Sequence, residues 1–225
     1  MKRCVCIACC LLFPTAAFAQ VGPLVLPGDD VGEGHYGDPP ALPDGAEWLG
    51  LYVRGDSSWV QPVEVTIEVR PSNEPGEPGR HEYVVDPRSP SLLLIGVRQA
   101  RVGTVQSALW YTDRLSAADP VKEFVVGSEE YRLALEGTSA DPCAQVVTLA
   151  QGARSQRLYE ARTDDTLACD EPRFDLHWVG DLDGDGRLDL LATFSPKYSY
   201  HPRRLYLSSA AAPGDLVGQV SLFER

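Results

Sequence analysis

The segment 181–189 concentrates the residues of this chain whose types and spacing are best suited to chemistry. It carries carboxylates at its first, third, fifth and ninth positions and glycines at its fourth and sixth, namely Asp181, Asp183, Asp185, Asp189, Gly184 and Gly186. Carboxylates held this close repel one another unless a cation lies among them. Hard oxygen ligands at this spacing suit Ca²⁺, which takes about six to eight oxygens in a flexible shell. The sequence therefore predicts a calcium-binding loop.

The residues on either side of this segment indicate which kind of calcium loop it is. Phe174, Leu176 and Trp178 alternate with polar residues before it, and apolar residues recur at every second position after it, which is typical of strands. An EF-hand needs helical flanks and an acidic residue at its twelfth position, where this chain has Ala192. We therefore predict a strand–loop–strand hairpin whose ligands are the four Asp side chains and the backbone carbonyl of Arg187. The two glycines allow the bends that turn these oxygens inward.

The stretch 180–191, GDLDGDGRLDLL, resembles the calcium loop of FG-GAP and VCBS-type repeats. Such repeats occur in integrin alpha-subunit propellers and in many secreted bacterial proteins. In that family the loop joins two strands and binds calcium through the matching Asp positions, so the resemblance implies a β-hairpin context here. This sequence has a single such loop and no blade-length repeat, which favours a sandwich or barrel-like domain over a propeller.

Three interpretations of the acidic loop differ in what the metal does. A calcium ion in an exported β-protein more often stabilises the fold than takes part in a binding or catalytic event, so we expect a structural staple. The second interpretation is a calcium ion that works directly in function. The third is an acidic Asp-Gly turn that binds no metal.

Residues 1–19 have the pattern of a secretory signal peptide. A short positive region at residues 2–3 precedes an almost wholly apolar run over 4–18, and residues 17–19 fit the small-x-small cleavage rule. That run is too short to span a bilayer, and no later run is long enough. We therefore expect an exported protein, periplasmic or extracellular, whose mature chain begins at Gln20.

The cysteines divide into two groups. Four lie within the predicted signal peptide, and lipidation of Cys9 or Cys10 is the less favoured alternative because they come too early in the apolar run. The mature chain keeps Cys143 and Cys169. Two cysteines in an exported protein most simply form one disulfide, which we predict here. The alternative is a pair of free buried thiols.

The charge of the chain limits its partners. Its formal net charge is −12, which argues against binding to nucleic acid or to an anionic membrane through bulk charge. Hydrophobic residues make up 44% of the chain, enough for a substantial core. This composition fits an extracytoplasmic protein that its own charge keeps soluble.

The pattern along the rest of the chain is that of short strands. Residues 20–46 are rich in Pro, Gly and Asp, and we interpret them as a flexible arm. From residue 47 to 225, short apolar runs alternate with turn signals, and segments such as 63–69 alternate strictly between apolar and polar residues. The sequence thus predicts an all-β, mostly antiparallel sandwich or barrel-like domain over 47–225, with the calcium-loop hairpin near its C-terminus.

A group of aromatic and basic residues follows the predicted hairpin. Tyr198, Tyr200 and His201, with Arg203 and Arg204 next to them, are suited to a surface that binds a carbohydrate or a protein ligand. The simpler interpretation, which we favour, is that the aromatic rings pack on the sheet and the arginines neutralise nearby Asp residues.

Catalysis and cell adhesion find little support in the sequence. The histidines stand alone, without a metalloprotease or nucleophile-elbow motif. Alternation places His177 and Asp175 on a face that we expect to be solvated. The tripeptide Arg54-Gly55-Asp56 occurs in some adhesion ligands, but it is also ordinary turn chemistry.

These features predict an exported calcium-binding β-protein with a binding or structural role in the cell envelope or outside the cell. The alternative is a secreted hydrolase that calcium stabilises. That alternative requires His177 or His201 to lie in a cleft within reach of a carboxylate or a serine.

Overall fold

The computed structural model describes residues 24–27, 47–71, 80–87, 90–137, 141–162 and 168–223. The predicted signal peptide lies outside these residues, as does most of the predicted arm. Among the described residues, no helix is long and apolar enough to cross a membrane.

The described chain is built from strands and two short 3₁₀ turns, Pro142–Ala144 and Ser208–Ala210. The first strands are β1 (Leu24–Pro27), β2 (Trp48–Arg54), β3 (Ser57–Pro62), β4 (Glu64–Arg70), β5 (Arg80–Asp86), β6 (Leu92–Ile95) and β7 (Gly103–Thr104). Then come β8 (Gln106–Leu109), β9 (Asp113–Arg114), β10 (Val121–Val126), β11 (Glu129–Glu136), β12 (Val146–Gln151) and β13 (Arg154–Glu160). The last are β14 (Arg173–Asp181), β15 (Asp189–Ser195), β16 (Arg203–Leu207) and β17 (Gly218–Phe223).

The strands assemble into three main sheets and a two-stranded ribbon. The N-terminal sheet has the order β1-β6-β2-β3-β7, and the meander sheet has the order β10-β11-β12-β13. The central sheet has the order β17-β16-β15-β14-β8, with β9 also paired to β14, while β4 and β5 form the ribbon. The described strands pair antiparallel throughout these sheets, so the predicted all-β, mostly antiparallel fold is confirmed.

The central sheet is covered on both faces. Every residue of β15 is buried, as expected of a strand that packs on two layers at once. Successive side chains of a strand point to opposite faces, and those of β15 divide between two cores. Leu190, Ala192 and Phe194 pack with residues of the meander sheet in what we call the meander core. Leu191 packs with residues of the N-terminal sheet in the N-terminal core.

The strand β1 differs from the prediction of a flexible arm over 20–46. Leu24–Pro27 pairs with β6 at the edge of the N-terminal sheet, and Val25 is buried in the N-terminal core. This apolar run of only four residues, set among many prolines and glycines, gives too short a periodic signal for a strand to be predicted from sequence.

The predicted disulfide is present. The sulfur atoms of Cys143 and Cys169 lie 1.97 Å apart. Cys143 belongs to the 3₁₀ turn that precedes β12, and Cys169 lies on the approach to β14. The bond therefore ties the meander sheet to the central sheet.

Reduction of this disulfide should lower the free energy of unfolding. The cysteines are 26 residues apart, and closing a loop of this length contributes about 3–4 kcal/mol in the chain-entropy view. We expect urea unfolding with a reductant to show a loss of this size. The double variant Cys143→Ser/Cys169→Ser should match the reduced protein and should not respond to reductant. An unchanged unfolding midpoint after reduction would contradict this assignment.

Candidate metal centre

The acidic loop joins β14 to β15, as the sequence predicts. Asp181 ends β14, Asp189 begins β15, and the antiparallel register pairs Gly180 with Asp189. Gly184 and Gly186 have φ angles of 77° and 78°, a backbone region that glycine reaches without steric cost. The predicted bends at these two glycines are therefore confirmed.

Three of the four carboxylates converge. One oxygen from each of Asp181, Asp183 and Asp189 lies within 4.8 Å of the other two. A calcium ion holds its oxygen ligands at about 2.3–2.6 Å, so oxygens that share one ion lie no more than about 5 Å apart. The separation of the three carboxylates is thus compatible with binding to a single cation.

Asp189 is the most buried member of this group. Its side chain is fully enclosed, and its Oδ2 accepts hydrogen bonds from the backbone N–H of Leu182 at 2.7 Å and of Asp183 at 3.3 Å. Its Oδ1 accepts one from the N–H of Ser208 at 2.8 Å. Burial raises the pKa of Asp189 to about 7, and the charge of Asp183 acts in the same direction. Positive charge next to this carboxylate would lower its pKa and favour the ionised form.

One carboxylate oxygen of Asp183 has no hydrogen-bond partner in the part of the chain that the structure describes. Its Oδ2 is buried and accepts no hydrogen bond from the described residues, while its Oδ1 accepts one from the backbone N–H of Asp185 at 3.3 Å. Burial raises the pKa of Asp183, the nearby Ser209 side chain lowers it in part, and the charges of Asp185 and Asp181 raise it further. A buried carboxylate oxygen without a partner is costly. A bound cation would remove that cost, so the residues present fit a metal ion.

Asp181, at the end of β14, accepts hydrogen bonds from the backbone of the loop that follows it. Its Oδ1 accepts hydrogen bonds from the N–H of Gly184 at 2.7 Å and of Asp185 at 3.1 Å. Its Oδ2 accepts one from the N–H of Gly186 at 3.0 Å. The carboxylate therefore fixes the loop backbone while it faces the other two acids of the group.

The structure gives Asp185 a different set of contacts from the other three acids. Its Oδ2 accepts hydrogen bonds from the Arg187 guanidinium at 2.6 and 2.9 Å and from Ser208 Oγ at 2.9 Å. Burial alone would raise the pKa of Asp185, but these hydrogen bonds outweigh it and the pKa is lowered. Asp185 is not one of the three converging carboxylates. Metal ligation by Asp185 and by the Arg187 carbonyl stays a prediction.

The two leucines of the loop anchor it in both cores. Leu182 is buried in the N-terminal core, and Leu188 is buried in the meander core. Because the loop lies at one end of the central sheet, its apolar side chains reach the layers on either side of that sheet. The positions of the carboxylates therefore depend on the packing of all three sheets.

Backbone contacts from the neighbouring layers complete this junction. The N–H of Arg101, between β6 and β7, donates to the carbonyl of Leu182 at 2.9 Å. The N–H of Leu188 donates to Tyr131 Oη, on β11, at 3.3 Å. At the β10–β11 turn, a Cβ atom added to Gly127 would lie 2.3 Å from the carbonyl oxygen of Gly186. Arg101, Gly127, Tyr131 and Ser208 are far from the loop in sequence, and no local pattern marks them.

The predicted partner surface at Tyr198, Tyr200 and His201 lies away from the acidic loop. These residues follow β15, whereas the loop precedes it, so a strand about 20 Å long separates them. Tyr198 is exposed, while Tyr200 and His201 are partly buried. Calcium in the loop would therefore not border this surface directly.

His177 and Asp175 do not form the solvated face that alternation predicts. Asp175 is buried and paired with Arg114 at 2.6 Å and with Arg173 at 3.1 Å. His177 lies at an irregularity of the β14–β15 pairing, with its Nε2 2.9 Å from Thr193 Oγ1. Alternation fails here because the pairing is irregular and the central sheet is covered on both faces. With Asp175 held by two arginines, the hydrolase alternative gains no specific support.

The tripeptide Arg54-Gly55-Asp56 forms the connection of a hairpin. Arg54 ends β2 and Ser57 begins β3, and these two residues pair with each other. The turn interpretation is therefore confirmed.

No protein-family model, curated protein or solved structure matches this chain. The resemblance of residues 180–191 to FG-GAP and VCBS-type loops accordingly stays a prediction. The three converging carboxylates and their buried surroundings fit a metal ion without that resemblance.

Without metal, the raised pKa of Asp189 should make stability depend on pH. The folded-state pKa of about 7 lies above the ordinary value of about 3.9. The stabilisation from protonation is therefore complete below about pH 4 and is lost as the pH rises through about 7. We expect urea unfolding in EDTA to show a loss of a few kcal/mol across this window, relative to Asp189→Asn. The readout is the pH dependence of the difference between the two proteins. A wild-type free energy of unfolding that, measured against that of Asp189→Asn, stays flat or rises with pH would rule out this assignment.

Substitution of Gly127 should weaken the junction more than substitution of a matched glycine. Gly127 and Gly152 occupy hairpin turns of the meander sheet with φ angles of 60° and 55°. Alanine at either position carries the cost of a left-handed backbone, about 1–2 kcal/mol. Only at Gly127 does the added Cβ meet another backbone, since nothing lies within 4 Å at Gly152.

We therefore expect urea unfolding to show a larger loss for Gly127→Ala than for Gly152→Ala, by at least about 1 kcal/mol. The Gly152→Ala variant is the control for backbone strain. Equal losses in the two variants would mean that the contact between Gly127 and Gly186 contributes nothing to stability.

Proposed function

We propose that the loop 181–189 binds one Ca²⁺ and that the protein is an exported, calcium-stabilised β-protein with a structural or binding role. The observation that carries this proposal is the buried Oδ2 of Asp183, which has no hydrogen-bond partner among the described residues. Asp183 is one of the three converging carboxylates. A cation bound by this oxygen would satisfy an acceptor that has no hydrogen-bond partner among the described residues.

The chemistry of the donor set favours calcium. The three converging side chains offer only carboxylate oxygens, whereas zinc prefers sulfur and nitrogen ligands. Magnesium demands near-ideal octahedral geometry and keeps several of its waters, while calcium accepts irregular shells of carboxylates and carbonyls. A loop that is fixed by its own backbone hydrogen bonds suits the less demanding ion.

Asp181, Asp183 and Asp189 are the residues that would hold the ion. The bound ion would supply positive charge, which offsets carboxylate repulsion and keeps Asp189 ionised at neutral pH. The hydrogen bonds that Asp189 accepts from Leu182 and Ser208 orient its carboxylate. Asp185 is held by Arg187, so it would have to release that side chain before it could join the site.

The role that we assign to calcium is to stabilise the junction of the three sheets. The loop places one leucine in each core and contacts the turn at Gly127 and the segment at Arg101. Relief of carboxylate repulsion at this point would therefore stabilise more than one hairpin. Export is supported by the signal-peptide pattern of residues 1–19 and by the disulfide, since disulfides persist in oxidising compartments.

Calcium should raise the melting temperature of the mature protein. Extracellular calcium modules bind with Kd of about 10⁻⁴–10⁻³ M, and calcium at ten times Kd stabilises a fold by roughly 1.4 kcal/mol. We expect thermal melts in EDTA, then with calcium or magnesium restored, to show a larger rise with calcium.

Two variants test whether this rise comes from the loop. Asp183→Asn removes the charge at the unsatisfied oxygen and should abolish the response to calcium. Because it also relieves repulsion, it should not melt below the wild-type protein in EDTA. Asp215→Asn changes an exposed acid outside the loop and should respond like the wild type. No rise with calcium, or an equal rise in Asp183→Asn, would refute calcium binding at this loop.

A further inference from the structure

Two adjacent aromatic side chains project into solvent at the edge of the central sheet. Trp110 is 51% exposed and Tyr111 is 59% exposed. Their ring centroids lie 6.2 Å apart with the planes nearly perpendicular, at 87°. Large aromatic side chains are normally the main contributors to a core, so an exposed pair of them needs a reason.

The backbone on either side fixes this pair in place. Leu109 on β8 pairs with Val179, and Asp113 on β9 pairs with Leu176. Three residues, 110–112, therefore lie opposite only two on β14, 177 and 178, and the edge segment bulges away from the sheet. Bulges of this kind redirect side chains and are frequent next to functional sites. Leu109 and Leu115, both buried, anchor the two ends of the segment.

The groups around the rings are polar, and their charges are already paired. Arg114 is paired with Asp175, and Asp113 is paired with Lys122. Thr112 places its hydroxyl oxygen 3.5 Å from Nδ1 of His177. A ligand at the rings would thus meet apolar ring surface next to hydrogen-bonding groups. The two ion pairs would present no net charge to it.

We propose that Trp110 and Tyr111 form a binding platform for a neutral carbohydrate. A sugar ring has an apolar face of C–H groups that stacks on an aromatic ring, and it has hydroxyl groups around its rim. The paired rings match the first feature, and Thr112 with the phenol of Tyr111 matches the second. The net charge of −12 disfavours an acidic polysaccharide as the ligand.

The size of the patch argues against a protein partner. Two rings that are each about half exposed offer roughly 250 Å² between them. A stable protein interface needs about 800 Å² from each partner, with an apolar centre. The residues that follow the pair, Thr112 to Arg114, are polar. An area of this size is closer to that of one or two sugar units. The proposal is independent of calcium binding, because neither ring belongs to the acidic loop.

Affinity electrophoresis in native gels tests this proposal directly. The mature protein would be run through gels that contain hydroxyethylcellulose, glucomannan, dextran or soluble starch. We expect at least one polysaccharide to retard the wild-type protein. Trp110→Ala should lower the affinity for that polysaccharide at least about tenfold, and Tyr111→Ala should lower it to a smaller extent.

Two further variants separate stacking from a general loss of structure. Trp110→Phe keeps an aromatic face and should retain part of the affinity. Tyr198→Ala removes another exposed aromatic ring, of 51% exposure, and should bind like the wild type. Each variant should keep the wild-type melting temperature, because the altered side chains are exposed. No retardation in any of the four gels, or retardation that Trp110→Ala leaves unchanged, would overturn the proposal.

Discussion

The repulsion among three carboxylates at the end of β14 is the constraint on which the rest of the structure depends. Asp181, Asp183 and Asp189 bring their oxygens within 4.8 Å of one another, and Asp189 is fully buried. Like charges at such distances destabilise a fold unless they are protonated or neutralised. The protein offsets part of this cost with backbone N–H groups, which donate to both Asp181 and Asp189. The cost at Asp183 is not offset in this way, because its Oδ2 accepts no hydrogen bond from the described residues.

This constraint acts on the whole fold because the loop is also a structural connector. Leu182 and Leu188 insert into different cores, so the backbone between them cannot relax away from the acids without disturbing one layer or the other. The close approach of Gly127 to Gly186 closes the loop from the meander side. Core packing of this kind has few alternative arrangements, so the packing holds the carboxylates close together. The electrostatic strain and the apolar packing are therefore two consequences of the same geometry.

Local periodicity and local chemistry predict the strands and turns of this chain, but not which sheets pack together. The acidic spacing of 181–189 predicts the hairpin and its two glycine bends, and strict alternation at 63–69 predicts a strand that the structure places at β4. Periodicity reports which side chains share a face, but it does not report which sheet covers that face. The sequence therefore does not predict that Gly127 and Tyr131 contact the loop. Asp175 lies opposite Phe174 and Leu176, as alternation predicts, but that face is enclosed. The irregular pairing at His177 places Trp178 in the N-terminal core, which alternation does not predict.

Among the described residues, the acidic loop lies between two unlike sheets. In a repeat array, each unit buries its apolar surface against identical neighbours. A single loop must obtain that burial from unlike neighbours, and this fold provides them as the N-terminal sheet on one face and the meander sheet on the other. The disulfide between the approach to β12 and the approach to β14 fixes one of these layers covalently. The two sheets that bury Leu182 and Leu188 therefore hold the acidic hairpin from both faces.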